Sequence, residues 1–152
     1  MRLSFTTPSG WIDERAGDRV GLTRRGGGVE VQALPVQTRW GFDPLAILEK
    51  NRPPGTTLRF VQVTGNLRTA DGWPLRLLTY QAARPDGTMA EAGIAALYEF
   101  RYYVGLAVGR ARSADALETE RPTILEILTG ARPHLWPDEP VCVAELWSME
   151  EP

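Results

Sequence analysis

Short connections between strand-like segments constrain this chain more than any other feature of its sequence. Residues 89–100 and 103–110 have the composition of long strands and are separated only by Arg101 and Tyr102. Elsewhere Arg25-Gly26-Gly27-Gly28 marks a reversal, because glycine adopts the positive φ angles that hairpins need. Hairpins join antiparallel neighbours, so the sequence predicts one mostly antiparallel sheet of about six to seven strands. The predicted strands are residues 2–6, 18–24, 29–33, 56–64, 73–81, 89–100 and 103–110.

Two helices are predicted between and after the strands. Asp43-Pro44 starts the first, because aspartate caps free amides and proline suits the first helical position. Residues 113–129 form the second, and Pro122 must either kink it or lie in its first turn. We favour a start near Glu120, preceded by a loosely helical turn. Both helices are expected to pack on the sheet, the second across the strand at 104–108, which makes the fold class α+β.

Composition and charge narrow the class of protein. The 152 residues are 43% hydrophobic and 24% charged, which is typical of one folded domain. Residues 1–112 carry 15 basic and 10 acidic residues, whereas residues 113–152 carry two basic and nine acidic ones. A nucleic-acid-binding protein is more often basic overall, so no nucleic-acid partner is predicted. No run of 18 apolar residues occurs and no lipid-attachment cysteine lies near the start, so we expect a cytoplasmic protein without membrane insertion.

Residues suited to catalysis or metal binding are scarce. The chain has one histidine, His134, and one cysteine, Cys142, whereas a zinc site takes about four nitrogen or sulfur ligands. Gly26-Gly27-Gly28 lacks the lysine and the strand–helix context of a phosphate-binding loop. The sequence therefore predicts neither a cofactor nor an enzyme. A cleft in which carboxylates and an arginine converge would instead favour an enzyme.

Residues 133–152 differ from the body of the chain. They carry five acidic residues and no lysine or arginine. We expect residues 141–147 to fold back onto the body as a short strand, with Trp147 buried and nearby acids facing arginines. A disordered acidic tail is the alternative. The predicted organisation is thus a domain at residues 1–132 and a C-terminal extension at residues 133–152.

Several phrases of the sequence resemble the PsbP/DcrB-like superfamily, which includes LpqN-type lipoproteins and the Eag chaperones of type VI secretion effectors. The resemblance covers residues 1–132 and implies an α-β-α sandwich that binds other molecules, with no catalytic residues to carry over. The extension has no counterpart in it, and the chain lacks the lipidated cysteine of the lipoproteins. The matching phrases are Pro8-Ser9-Gly10-Trp11, Phe42-Asp43-Pro44, Gly72-Trp73-Pro74, Tyr98-Glu99-Phe100-Arg101-Tyr102-Tyr103 and Ile127-Leu128.

Two features are candidates for binding a partner. Gly105, Ala107 and Gly109 form a face of small residues on one strand, on which another backbone could lie closely. The alternative is that the chain's own second helix packs there. Trp136 and Trp147 lie among acidic residues and prolines, so they are expected to pack the extension onto the domain or onto a partner.

These features lead to one functional hypothesis and two alternatives. The leading hypothesis is a small adaptor or chaperone that binds a protein segment, as the Eag chaperones bind apolar helices of an effector. The first alternative is a domain that binds an apolar ligand in the same cavity, and an enzyme is the second. An antiparallel sheet edge also makes a homodimer an alternative state.

Overall fold

A computed structural model of the chain describes residues 2–16 and 19–134 and shows one large antiparallel sheet between two helices. The sheet has eight strands in the order β2-β3-β4-β9-β8-β7-β6, and the short β5 also pairs with β9. The predicted α+β class and α-β-α layering are confirmed, with eight strands in the sheet in place of the expected six to seven. The strands are β1 Arg2–Ser4, β2 Trp11–Ala16, β3 Arg19–Arg24, β4 Val29–Ala33, β5 Gln37–Thr38, β6 Thr57–Arg68, β7 Pro74–Ala83, β8 Met89–Phe100, β9 Tyr103–Ala111 and β10 Arg132–His134, and the helices are α1 Pro44–Lys50 and α2 Ala114–Thr129.

The first predicted strand lies outside the large sheet. β1 pairs only with β10, in a small sheet of two strands, and buries Leu3. The first strand of the large sheet is β2, which the sequence analysis missed because its charged residues hide the apolar alternation. The first two residues of the predicted extension, Pro133 and His134, belong to β10, and residues 135–152 lie outside the described residues.

Helix α2 covers one face of the sheet and contacts β4, β8 and β9, as predicted for the second helix. Its expected start near Glu120 was wrong. The helix begins at Ala114, where the Ser113 hydroxyl accepts a hydrogen bond from the Ala116 amide at 3.1 Å, and it continues through Pro122. Leu117 and Ile124 are buried on either side of the proline, so packing holds both halves of the helix although proline removes one backbone hydrogen bond.

Helix α1 lies against the opposite face. Asp43 caps it by accepting a hydrogen bond from the Ala46 amide at 3.1 Å, and Pro44 is its first residue, as the sequence predicted. Only Leu48 of this helix is buried. With seven residues α1 is much shorter than the 16-residue α2. Neither helix in the described part of the chain is long and apolar enough to cross a membrane.

A buried tyrosine links the sheet to the end of α2. Tyr98 on β8 donates a hydrogen bond of 2.6 Å to the carbonyl oxygen of Leu128. Burial raises the pKa of Tyr98 well above its ordinary value, so the hydroxyl stays protonated and keeps donating. The bond fixes the C-terminal turn of α2 on the sheet.

Tyr98→Phe is therefore expected to lower the free energy of unfolding by about 0.5–1.5 kcal/mol, because the buried Leu128 carbonyl is left with the longer hydrogen bond, 3.4 Å, that it accepts from the Ala131 amide. Tyr102→Phe is the control, since this tyrosine is 48% exposed. Urea denaturation of both variants tests the expectation. Equal midpoints for wild type and Tyr98→Phe would show that the hydrogen bond contributes nothing.

Candidate binding groove beside helix α1

The face of small residues on β9 lies in the core, under the chain's own elements. A Cβ atom added to Gly109 would lie 2.5 Å from Cγ2 of Ile124 on α2, and one added to Gly105 would lie 3.2 Å from Cδ1 of Leu3. Ala107 has no exposed surface. The small residues let α2 and β1 approach the sheet closely, and in this structure a partner has no access to them.

The two tryptophans proposed for partner binding, Trp136 and Trp147, lie outside the described residues. Their contacts stay predictions.

The α1 side of the sheet is only partly covered. Helix α1 packs over a cluster that includes Leu58 at the start of β6, but it does not cover Val63 further along that strand. The strip between α1 and β6 consequently remains open. The buried members of the cluster are Leu48, Leu58, Tyr80, Ala82, Ala95, Leu106 and Val108.

This strip forms an apolar groove of about 270 Å³, which we call the α1 groove. Leu45 of α1 lies on one side and Val63 of β6 on the other, with Leu78 and Leu97 of β7 and β8 between them. The strand pairing explains why these residues share a face, because Val63 is paired with Leu78 and Leu97 with the buried Leu106. The groove is thus a continuation of the core that no element in the described part of the chain covers.

The two sides of the α1 groove are exposed to an unusual degree for apolar residues. Leu45 is 47% exposed and Val63 is 68% exposed. Phe60 and Val61, also on β6, are exposed as well. A contiguous patch of this kind is typical of interaction sites, whereas single exposed apolar residues are ordinary. Sequence reasoning found the strand but missed the site, since nothing local to residues 56–64 shows that this strand lies at an edge.

One arginine provides charge at the α1 groove. Arg76 on β7 lines it and forms an ion pair of 3.7 Å with Glu99. The Arg76 side chain is 64% exposed, and an exposed pair contributes less than about 1 kcal/mol. Arg76 can therefore exchange Glu99 for an acidic group of a ligand at little cost.

An exposed aromatic pair is formed between the loop that leads into α1 and the β8–β9 turn. Trp40 is 73% exposed and stacks on Tyr102 of the β8–β9 turn at a centroid distance of 6.3 Å. The Arg101 guanidinium lies 5.1 Å from the centre of the Tyr102 ring, and Arg101 has a positive φ of 55°. Tryptophan, tyrosine and arginine are the residues most enriched at the energetic centres of protein interfaces.

A polar cleft of about 240 Å³ lies at the other end of the sheet. Glu30, Glu91, Arg110 and Arg112 line it, so carboxylates and arginines do converge here. The Tyr80 hydroxyl donates a hydrogen bond of 2.9 Å to Glu91, and Arg110 lies 3.7 Å from Glu30. Both carboxylates thus have a partner within the protein. In the described ranges no three His, Cys, Asp or Glu residues are grouped to hold a metal ion.

The Tyr80 ring depends on a glycine of the neighbouring strand. The ring lies against Gly93, and a Cβ atom there would overlap it. Burial, followed by the negative charge of Glu91, raises the pKa of Tyr80 well above its ordinary value, so the hydroxyl remains a donor. Tyr80 and Glu91 separate the polar cleft from the apolar cluster under α1.

Comparison with known proteins identifies the fold. No family model matches the sequence, and no curated protein does. The solution structure of the cyanobacterial PsbP protein CyanoP from Synechocystis sp. PCC 6803 is similar over 88% of this chain and 93% of that chain, with a TM-score of 0.58 and 11% identity. The crystal structure of PA94, a protein of unknown function from Pseudomonas aeruginosa, is similar over 90% of this chain and 100% of that chain, with a TM-score of 0.54 and 16% identity.

These matches show that the chain has the PsbP-like fold. The resemblance to the PsbP/DcrB-like superfamily that the sequence predicted is confirmed at the level of the fold, whereas its LpqN-type and Eag-type branches are not distinguished. At 11% and 16% identity the likeness carries no function with it, so function must be argued from the site.

Proposed function

We propose that this protein is a non-enzymatic adaptor or chaperone that holds an apolar segment of a partner protein in the α1 groove. The observation that supports the proposal is the open apolar strip between Leu45 and Val63, which continues the core to the surface. Leaving such a strip in water is unfavourable by about 25 cal/mol per Å² of apolar surface, so a partner that covers it gains that free energy.

The shape of the α1 groove favours a protein segment over a small molecule. Pockets for small ligands usually bury most of the ligand's surface. The α1 groove holds about 270 Å³ and lies open along the exposed side chains of Leu45 and Val63. A helix or strand can lay one apolar face into such a groove while its other face stays in water.

The charges near the α1 groove suggest what the partner segment carries. Arg76 lies on the groove, and its side chain is 64% exposed. The carboxylate at the groove, Glu99, is already paired with Arg76. We therefore infer an apolar segment flanked by acidic residues. An Eag-type role with a type VI secretion effector as client, and action in the cytoplasm, remain predictions from the sequence.

The polar cleft favours a second candidate function, the binding or conversion of a small polar molecule. Two carboxylates and two arginines line about 240 Å³ there, and Arg112 is exposed. Mass spectrometry of the protein purified from its native cell under non-denaturing conditions separates the candidates. A bound metabolite that Arg112→Gln releases would favour the polar cleft, whereas a bound protein favours the α1 groove.

Leu45→Asp is expected to abolish partner binding while leaving the fold intact. A carboxylate within an apolar interface costs roughly 2 kcal/mol or more, equivalent to about a 30-fold weaker complex. Leu45 is exposed and lies in the first turn of α1, where an acidic residue is favourable for the helix. Affinity purification from the native cell, with identification of the co-purifying proteins, is the measurement.

Ala46→Asp is a matched control for this experiment. Ala46 is the next residue of the same turn, is exposed, and does not line the α1 groove. A partner retained by wild type and by Ala46→Asp but lost by Leu45→Asp supports the proposal. Retention of the same proteins by all three would exclude the α1 groove as the binding site.

A further inference from the structure

The exposed edge strand β6 has a long stretch without the charged residues that normally protect a sheet edge from pairing with other chains. Its 12 residues make it one of the two longest strands, and the eight residues from Phe60 to Leu67 carry no charge. Two register shifts interrupt its pairing with β7, after Phe60 and after Thr64. The other edge strand, β2, carries Asp13, Glu14 and Arg15. Natural proteins protect an exposed edge strand with charges, with β-bulges or with a covering segment. β6 has the bulges but no charge between Arg59 and Arg68, so it is the less protected of the two edges.

The last described residues of the chain lie close to the end of β6. Arg132 on β10 forms an ion pair of 3.5 Å with Asp71, which lies in the turn that follows β6. The Arg68 side chain, at the end of β6, donates to the Gly72 carbonyl of the same turn at 2.7 Å. A further hydrogen bond of 2.8 Å joins the Ala70 amide to the carbonyl of Thr129 at the end of α2. Arg132 therefore lies beside the turn that follows β6, two residues before the end of the described chain.

The residues that follow have the length needed to reach the edge. Pro133 is paired with Leu3, which packs against Gly105 of β9, three strands from β6. Residues 135–140 span at most roughly 20 Å when extended, and three strand spacings across the sheet amount to about 15 Å. Because β6 runs toward this turn, a segment that starts there and turns back along the edge runs antiparallel to β6. The favourable strand orientation thus follows from where the described chain ends.

The charges of the two segments are complementary. On β6, Arg59 and Arg68 enclose the uncharged stretch. In the extension, Asp138-Glu139 and Glu150-Glu151 enclose the sequence Pro-Val-Cys-Val-Ala-Glu-Leu-Trp-Ser-Met, whose only charge is Glu145. Antiparallel pairing brings the first acidic pair toward Arg68 and the second toward Arg59. Valine and tryptophan in the enclosed sequence also favour a strand.

We propose that residues 141–147 of the same chain pair antiparallel with β6 and form a ninth strand of the large sheet. The added strand covers the less protected edge and places its side chains beside Phe60 and Val63. This inference does not rest on the proposed function, because it concerns one chain and neither of its tests involves a partner.

Cys142 is the only cysteine of the chain, so disulfide trapping tests the pairing directly. Cysteines are placed one at a time at Thr64, Gly65 and Asn66 in the full chain, the positions that the charge pairing brings opposite Cys142, and the thiols are oxidised mildly. At least one of these variants is expected to form an internal disulfide about tenfold faster than the control Ile12→Cys, whose site on β2 is also exposed. Rates equal to the control in all three, or disulfides only between chains, would overturn the proposal.

Hydrogen exchange gives a second measurement that does not depend on the register of the added strand. The outward-facing amides of β6 are expected to exchange at least about tenfold more slowly than those of β2, because they are paired. Val143→Pro in the full chain removes a hydrogen-bond donor from the added strand. This change is expected to abolish the difference in exchange rate between β6 and β2, while the amides of β8 continue to exchange slowly. Fast exchange of the β6 edge in the wild-type chain would contradict the proposal.

Discussion

Gly109→Leu is expected to destabilise the protein by about 1–3 kcal/mol, or roughly 2–12 °C in melting temperature for a domain of this size. The reason is the contact between β9 and α2, where an added Cβ atom would lie 2.5 Å from Cγ2 of Ile124. Ile124 is fully buried and cannot turn into solvent. Because the overlap lies within the chain, the loss is expected in the purified protein whether or not a partner is present. Differential scanning calorimetry measures it.

The same contact provides a rescue and a control. Ile124→Leu removes the Cγ2 methyl group, so combining it with Gly109→Ala is expected to cost less than the sum of the two single changes. Gly65→Ala is the matched control, because a Cβ atom at Gly65 meets no atom within 4 Å. Unchanged melting of Gly109→Leu would mean that α2 does not cover this face, and the face of small residues would again be a candidate for binding.

Gly93→Ala is expected to have an effect of similar size on the other side of the sheet. The added Cβ atom would overlap the Tyr80 ring, which is 3% exposed and is held by Glu91. Displacing the ring breaks that hydrogen bond and disturbs the cluster under α1, at a cost of about 1–3 kcal/mol. Thermal unfolding monitored by circular dichroism tests the expectation.

Tyr80→Leu distinguishes this cause from a general intolerance of β8 to substitution. With the ring removed, Gly93→Ala is expected to add little further loss. If Gly93→Ala lowers the melting temperature equally with and without the Tyr80 ring, overlap with that ring is not the cause of the loss.

Features that depend on neighbouring residues could be predicted from the sequence. The cap of α1 at Asp43 and the β8–β9 turn at Arg101-Tyr102 are set by a few adjacent residues, and both were predicted. The spacing of Gly105, Ala107 and Gly109 indicated a close approach by another backbone. It left open whether that backbone belongs to α2 or to a partner, because the sequence does not show which strands α2 packs on. The contacts of Ile124 and Leu3 answer that question.

The candidate site depends on features that no single segment encodes. The α1 groove exists because a seven-residue helix lies on a sheet of eight strands and because β6 is at the edge. Strand order is a property of the whole fold, and the residues of β6 do not show which strands pair with it. The pairing of Trp40 with Tyr102 of the β8–β9 turn likewise joins residues that are far apart in the sequence.

Site-specific photo-crosslinking in the native cell tests most directly whether the α1 groove is the binding surface. A photoreactive amino acid replaces Leu45 in one strain and Ile12 in another, two sites with 47% and 41% exposure on different parts of the sheet sandwich. Our account predicts a discrete covalent adduct with another protein from position 45, attached through an apolar segment of that protein, and no such adduct from position 12. The same adducts from both positions, or none from position 45, would contradict it.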